Sequence, residues 1–339
     1  MSRIGRSVFV AGLALLLVGV AFCCSTVALR PLNIGTDTQA YANFFYHVDK
    51  YGIVNTRLEP GYVAFARIVS YLGFDLVGMQ ALTFLLLITI IVYSATEYWK
   101  YLGSFNSKLM FLTASFGFFF LSPMFVNASI NAIRQGLASL LIFTALLSFS
   151  RRQWLKFAVL SFAAIGFHYS SVIYIVFSPM LLLRQRGLHL VFVFFFILYC
   201  LGLTEEMVKF VSPFVYSQVM DYKYGSQYNA GVRLDFAFFS IFWYIIASFS
   251  LFFVRKSVKE KLVVTISIYL TMLLPFFLVG FGNYSNRLLV PAWLSLSLLF
   301  GAIIYNCRVV IFRHPVYLWM FLCFSSVVFN YFVINEIII

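Results

Sequence analysis

The feature that most constrains this chain is a rhythm: long apolar runs broken by short basic clusters. The runs lie near residues 8–29, 77–95, 109–126, 130–149, 155–183, 188–203, 234–254, 260–280, 287–306 and 315–335. About 20 consecutive apolar residues cross a hydrocarbon core as a helix. Backbone in lipid must satisfy its own hydrogen bonds, so such runs read as helices and not as loops. Charged residues make up 10% of the chain and hydrophobic residues 63%. A soluble domain carries about a quarter charged residues, so this chain cannot wet the surface of one. The fold class is therefore all-α: a polytopic transmembrane helical protein, one transmembrane domain over residues 1–339, with about eleven spans.

The net charge of +13 invites a nucleic-acid partner, but the placement of the charge argues against one. Arg3 and Arg6, Lys100 and Lys108, Arg151, Arg152 and Lys156, Arg184 and Arg186, Arg255, Lys256, Lys259 and Lys261, and Arg308 and Arg313 all sit between apolar runs. That is the positive-inside pattern. With those clusters cytoplasmic, only Glu97 and Glu260 join them as acids, and the entire net charge becomes a topology signal. The N-terminus is then cytoplasmic and the C-terminus outside. The stretch Val8–Leu29 is longer than a signal-peptide core and has no convincing cleavage site, so it reads as a retained span. Two outer loops stand out, 30–60 and 204–233.

The stretch 155–183 decides the topology. As one span it would place RQRG outside and invert everything after it. As two short helices turning near Gly166, Phe167 and His168, it keeps every later basic cluster on one side. The second arrangement is expected. The five cysteines lie in or beside apolar segments without metal-ligand spacing, so neither a disulfide framework nor a zinc site is expected.

Polar residues able to carry chemistry converge on the outer side. Arg134 and Arg287 each open a long apolar helix near its outer end. An ionised group there is costly without a partner or a cavity. Each either snorkels to lipid headgroups or acts in an anion clamp, since a guanidinium fork near a helix N-terminus suits phosphate oxygens. His168, in FAAIGFHYSS, is either a turn histidine bonded to backbone or a group that exchanges a proton near neutral pH. Asp37, in GTDT, is a helix cap or a carboxylate that meets sugar hydroxyls. Glu59, before Pro60 and Gly61, is a cap-region carboxylate, a salt-bridge partner of Arg57 or Arg134, or a general base. Asn283 and Tyr284 lie at the mouth of the span opened by Arg287. Tyr222, Tyr224, Tyr228 and Arg233 belong to the second outer loop. Those tyrosines are either an interfacial belt or a platform for sugar rings. There is no Walker A run, HExxH, GxSxG or CxxC. Nucleotide-driven transport and zinc chemistry lack sequence support.

The pieces GTDTQAYANFF, EPGYVAFARIVSYLG, NAIRQGLASLLIFTALLSF, FAAIGFHYSSVIY and NYSNRLLVPAW follow one another in an order and spacing that carry a resemblance over about residues 30–300. The chain resembles the EpsG-like branch of the Wzy O-antigen and exopolysaccharide polymerases. The resemblance implies a fold similar to class C glycosyltransferases and O-antigen ligases, in the bacterial inner membrane. It implies a glycosyltransferase that polymerises undecaprenyl-diphosphate-linked oligosaccharide repeat units at the periplasmic face, without metal, nucleotide or other cofactor. The partners implied are the lipid-linked oligosaccharide and membrane lipids, with a chain-length-regulating copolymerase as a candidate and no nucleic acid. On this resemblance Arg134 and Arg287 bind the diphosphate, His168 contacts it or the acceptor hydroxyl, and Asp37 and Glu59 take the early acidic positions. The competing classes are a flippase for the same lipid-linked units, an O-antigen ligase and another membrane transferase.

Overall fold

A computed structural model describes residues 3–52, 56–103, 107–220, 231–283 and 285–337. Tyr222, Tyr224, Tyr228 and Tyr284 lie outside the described residues. The chain is all-α. In order, the helices are α1 (Arg3–Ala28), α2 (Thr38–Tyr51), α3 (Pro60–Tyr71), α4 (Leu76–Leu102), α5 (Lys108–Phe120), α6 (Pro123–Ile130), α7 (Ile133–Ser150) and α8 (Trp154–Phe167). They are followed by α9 (Ser171–Val176), α10 (Gln185–Cys200), α11 (Leu203–Val211), α12 (Pro213–Met220), α13 (Leu234–Ser250), α14 (Lys256–Val279), α15 (Val290–Tyr305) and α16 (Pro315–Ile334).

Among the described residues, six helical segments are long and apolar enough to cross a membrane, or up to eight if each of two bent pairs counts as one. The six contain α1, α4, α7, α14, α15 and α16. The bent pairs are α5–α6, at 82°, and α10–α11, at 97°. Three further apolar segments, over α8, α9 and α13, are shorter. The expectation of about eleven spans thus meets a bundle in which several apolar runs are short or broken. The third run, expected near 109–126, stops at Phe120 because Pro123 cannot donate to the ladder and starts a new helix at a sharp angle. Ser122 caps that new helix, accepting from the Phe125 amide at 3.4 Å. The expected outer loop 204–233 begins as two helices, α11 and α12.

The stretch 155–183 forms short helices, as expected: α8 ends at Phe167, the chain turns at His168 to Ser170, and α9 runs on into a 3-10 turn at Ser178–Leu182. α5, α7 and α8 hold 13, 18 and 14 residues, and lengths of about 20 to 27 Å at the α-helical rise. At about 20 Å, α5 and α8 are shorter than a hydrocarbon core of about 30 Å.

The centre of the bundle is α7, α14 and α15, which are mostly buried, whereas α1 and α16 expose most of their length. Small residues let these helices touch closely. A Cβ on Gly136 would come within 2.8 Å of Ala128, so α7 rests directly on α6; one on Gly301 would come within 2.7 Å of the Ser115 hydroxyl. Buried hydroxyls return their protons to the preceding turn, as Thr113 does to Leu109 and Thr144 to Leu140. The indole of Trp293 donates to Ser240 at 2.9 Å. All five cysteines are free thiols.

Several basic clusters meet at one end of the bundle. Lys100 and Lys156 both reach Glu97, Arg151 lies over the Tyr101 ring, and Lys261 donates to the Leu102 carbonyl. Arg308 donates to the Val254 carbonyl, beside a single β-bridge between Val254 and Cys307. Arg134 sits at the opposite end of α7 from Arg151.

Candidate functional site

Glu59 is the organising residue. It takes the position before α3 in extended geometry, and Pro60 starts the helix. Its carboxylate makes no capping bond and turns inward, where its side chain is 4% exposed. One oxygen accepts from the Arg134 guanidinium, on the second residue of α7. The other lies 2.9 Å from His168 Nδ1 and accepts from the Tyr169 amide at 3.3 Å. The approach that allows this is close: a Cβ on Gly61 would lie 2.6 Å from the Gly166 carbonyl, so α3 meets the end of α8 without a side chain between them. Burial alone would raise the Glu59 carboxyl above its ordinary value. The His168 hydrogen bond and the Arg134 charge outweigh it and hold the group down at about 2.

A carboxylate only accepts, so Nδ1 of His168 must carry the proton on that side. The other ring nitrogen, Nε2, is then the atom available to a ligand. Arg134 is held on a second side by Tyr41, to whose hydroxyl its Nε donates at 3.3 Å. Burial pushes the Tyr41 phenol up, against the pull of the neighbouring Arg134, so it remains a neutral hydroxyl.

Asp37 precedes α2 at its cap position, but its side chain makes no capping bond. It lies 3.7 Å from Arg287 instead, with both side chains about two-fifths exposed. Arg287 is carried on the 3-10 turn Ser285–Leu289 ahead of α15. That turn is pinned from below: Gln135 donates to the Arg287 carbonyl and the Tyr174 hydroxyl to the Leu288 carbonyl at 2.9 Å.

Asp37, Tyr41, Arg134, Gln135, His168 and Arg287 line one cleft. Its enclosed space is about 20 Å³, the volume of a single water. The longest ion pair at the cleft is Asp37–Arg287, at 3.7 Å with both side chains part-exposed. Gln135 Oε1 is buried without a hydrogen-bond partner. The cleft thus offers two guanidinium groups, one carboxylate and one imidazole nitrogen. That set suits an anion with a polyhydroxylated neighbour.

Five expected residues, Asp37, Glu59, Arg134, His168 and Arg287, are brought together. Two others are not at the cleft. Arg233 pairs with Asp235, two residues on, at 2.6 Å and lies 4.0 Å over the Phe236 ring. Asn283 is buried beyond the end of α14 and does not line the cleft. Sequence reasoning missed Tyr41, Gln135 and Arg30. Tyr41 stands one turn after Asp37 on α2, a helical spacing that puts both on one face. Arg30, 7% exposed, closes off α1 behind Tyr62 and Thr38, and burial lowers it to about 10. Among the described residues no group of three or more His, Cys, Asp or Glu is placed to hold a metal ion.

These features define a polytopic α-helical membrane protein with an ionic cleft at one end of its bundle, remote from its basic clusters. A model of the EpsG family matches residues 13–338, nearly the whole chain, and the protein belongs to that family. No curated protein and no solved structure gives a significant match.

Proposed function

We propose that this protein is a membrane glycosyltransferase that polymerises oligosaccharide repeat units carried on undecaprenyl diphosphate. Membership of the EpsG family is consistent with a glycan-polymerising role in general. The observation that carries the finer reading is the convergence of Arg134 and Arg287, from separate parts of the chain, on one cleft with a carboxylate-held histidine.

In this reading the basic clusters and the N-terminus are cytoplasmic, the cleft faces the periplasm of a bacterial inner membrane, and the apolar segments, short ones included, make about eleven passes. The architecture is then of the class C glycosyltransferase and O-antigen ligase kind. The lipid diphosphate lies against Arg134 and Arg287, having displaced Asp37 from Arg287. A hydroxyl of the incoming unit attacks the anomeric carbon of the growing chain. The bond from that carbon to the diphosphate oxygen breaks, and the electron pair leaves with the diphosphate. The two guanidinium groups stabilise the charge that develops there. The hydroxyl proton passes to His168 Nε2, whose tautomer Glu59 fixes through Nδ1. Glu59 itself, already bonded on both oxygens and held at about 2, is a poor base and acts as a positioning residue. No metal, nucleotide or other cofactor takes part in these steps.

The test is Arg287→Ala in the producing cell. Long polysaccharide is expected to disappear while single repeat units still accumulate on the periplasmic side and the protein level holds. Unchanged chain length overturns the role of Arg287. Repeat units trapped on the cytoplasmic leaflet point to a flippase instead, and long lipid-carried chains that fail only to reach their final acceptor point to a ligase.

A further inference from the structure

Beside the cleft lies a groove of about 650 Å³ with almost wholly apolar walls. Resting on the reading above, we propose that it seats the polyprenyl tail of the lipid diphosphate. Val172 and Val176 of α9 form one wall, Phe214 and Val219 of α12 another, and Val279 and Leu288 the floor.

Exposed apolar side chains alone mean little in a protein bathed in lipid. Three observations set this surface apart. The first is continuity with the ionic cleft. Tyr169, which lines the groove, directly follows His168 and donates its amide to Glu59. Leu288, at the floor, directly follows Arg287. The groove therefore begins where the cleft ends, at two places in the chain. The second is the state of α12. It buries none of its side chains, and Phe214 is 73% exposed. It is docked along one side, where Tyr216, Val219 and Met220 pack on Val208, Val279 and Phe281 and Gly282 approaches the Val219 carbonyl closely. The other side of the helix, with Phe214 and Val215, stays exposed and faces the groove.

The third is charge complementarity. A single apolar channel ending at two guanidinium groups matches one long hydrocarbon chain ending in a diphosphate. A phospholipid, with two acyl chains and one phosphate, matches it less well. The tail in this groove aims the diphosphate into the cleft and orders the anomeric carbon beside His168. The chemistry would thereby be restricted to carriers with a long unbranched run of isoprene units.

The experiment measures binding of radiolabelled undecaprenyl diphosphate and of inorganic diphosphate to the purified full chain in phospholipid nanodiscs. Val176→Trp fills the groove. Val159→Trp is the control, on an equally exposed α8 position that lines no part of the groove. Val176→Trp is expected to weaken undecaprenyl diphosphate binding about tenfold, with inorganic diphosphate binding unchanged and Val159→Trp matching wild type. Val172→Trp serves in its place if Val176→Trp does not fold. Equal binding by Val176→Trp and Val159→Trp overturns the groove, as does displacement of the long probe by added phospholipid alone. In either case Arg287→Ala still separates the two ideas. A loss of inorganic diphosphate binding in that variant keeps the cleft reading without the groove. No loss with either probe removes the cleft reading and the groove with it.

Discussion

Two glutamates in this molecule each hold two basic side chains, at opposite ends of the bundle. Glu59 binds Arg134 and His168, and Glu97 binds Lys100 and Lys156. Their chemistry is alike and their settings are not. The Glu59 side chain is 4% exposed, and its partners come from α7 and from the turn after α8, so one carboxylate ties three separate parts of the chain. Glu97 and Lys100 share α4 one turn apart, and the Lys100 side chain is 57% exposed. A guanidinium fork and an imidazole offer fixed directions, whereas a lysine is a mobile, strongly hydrated point charge. Only the Glu59 cluster opens on a cleft that holds a second arginine. An ion cluster becomes a candidate site through burial, convergence from several elements and a neighbouring space, and not through its composition.

The largest effect that could break this comparison is expected from Glu59→Gln. Glutamine keeps the shape but removes the charge, which leaves Arg134 partly buried beside a neutral amide. Removing one partner of a buried ion pair costs about 3 to 5 kcal/mol. The thermal unfolding midpoint of the purified protein should fall well below wild type. Long polysaccharide should be lost as well, because both Arg134 and His168 lose their positioning contact. A Glu59→Gln protein with wild-type melting and wild-type chain length would show that the buried cluster is no more than a second Glu97.

Acid should sharpen the same contrast. The folded-state value of Glu59 is held at about 2, below its ordinary 4.5. A depressed carboxyl contributes stability that is fully present above the unfolded value and is lost as pH falls through the folded value. The advantage of wild type over Glu59→Gln should therefore be constant from pH 7 down to about 4.5 and shrink between there and about 2. Melting both proteins across that range checks it. A gap that closes already between pH 7 and 5 would mean that the low value is wrong and that Glu59 is weakly paired.

Much of this site could be read from the sequence because an ionised residue beside an apolar run has few harmless explanations. Arg134 and Arg287 stand out on those grounds, Asp37, Glu59 and His168 as polar residues of the adjoining loop and turn, and the five meet. The turn at His168 was legible too, since only a turn there keeps the later basic clusters on one side. Tyr41 and Gln135 were not, because depth along a helix can be read from sequence but the neighbour each side chain faces cannot. Arg233 shows the converse: a loop arginine of the right type is tied to Asp235, and no spacing rule separates it from Arg287. The helices α11 and α12 were hidden for a different reason. Glu205, Glu206 and Lys209 give α11 a polar face that reads as loop, although its acids sit in its first turn and its lysine in its last, as the helix dipole favours.

The smallest effect is expected at the other glutamate. Glu97→Gln removes one carboxylate from two lysines, one of which is largely in solvent and needs no partner. The exposed Lys100 pair contributes about 0 to 1 kcal/mol and should weaken further in high salt; the Lys156 pair is part-buried, so the melting midpoint should shift, but less than for Glu59→Gln. Chain length should stay at wild type, because α4 carries this cluster at the end of the bundle away from Arg134 and Arg287. Lys156, at the start of α8, is a route by which the change could reach His168 at that helix's far end. Shortened polysaccharide from Glu97→Gln, at normal protein level, would show that the α8 hairpin transmits strain along its length. The two glutamates would then belong to one coupled system, and the contrast drawn between them would fail.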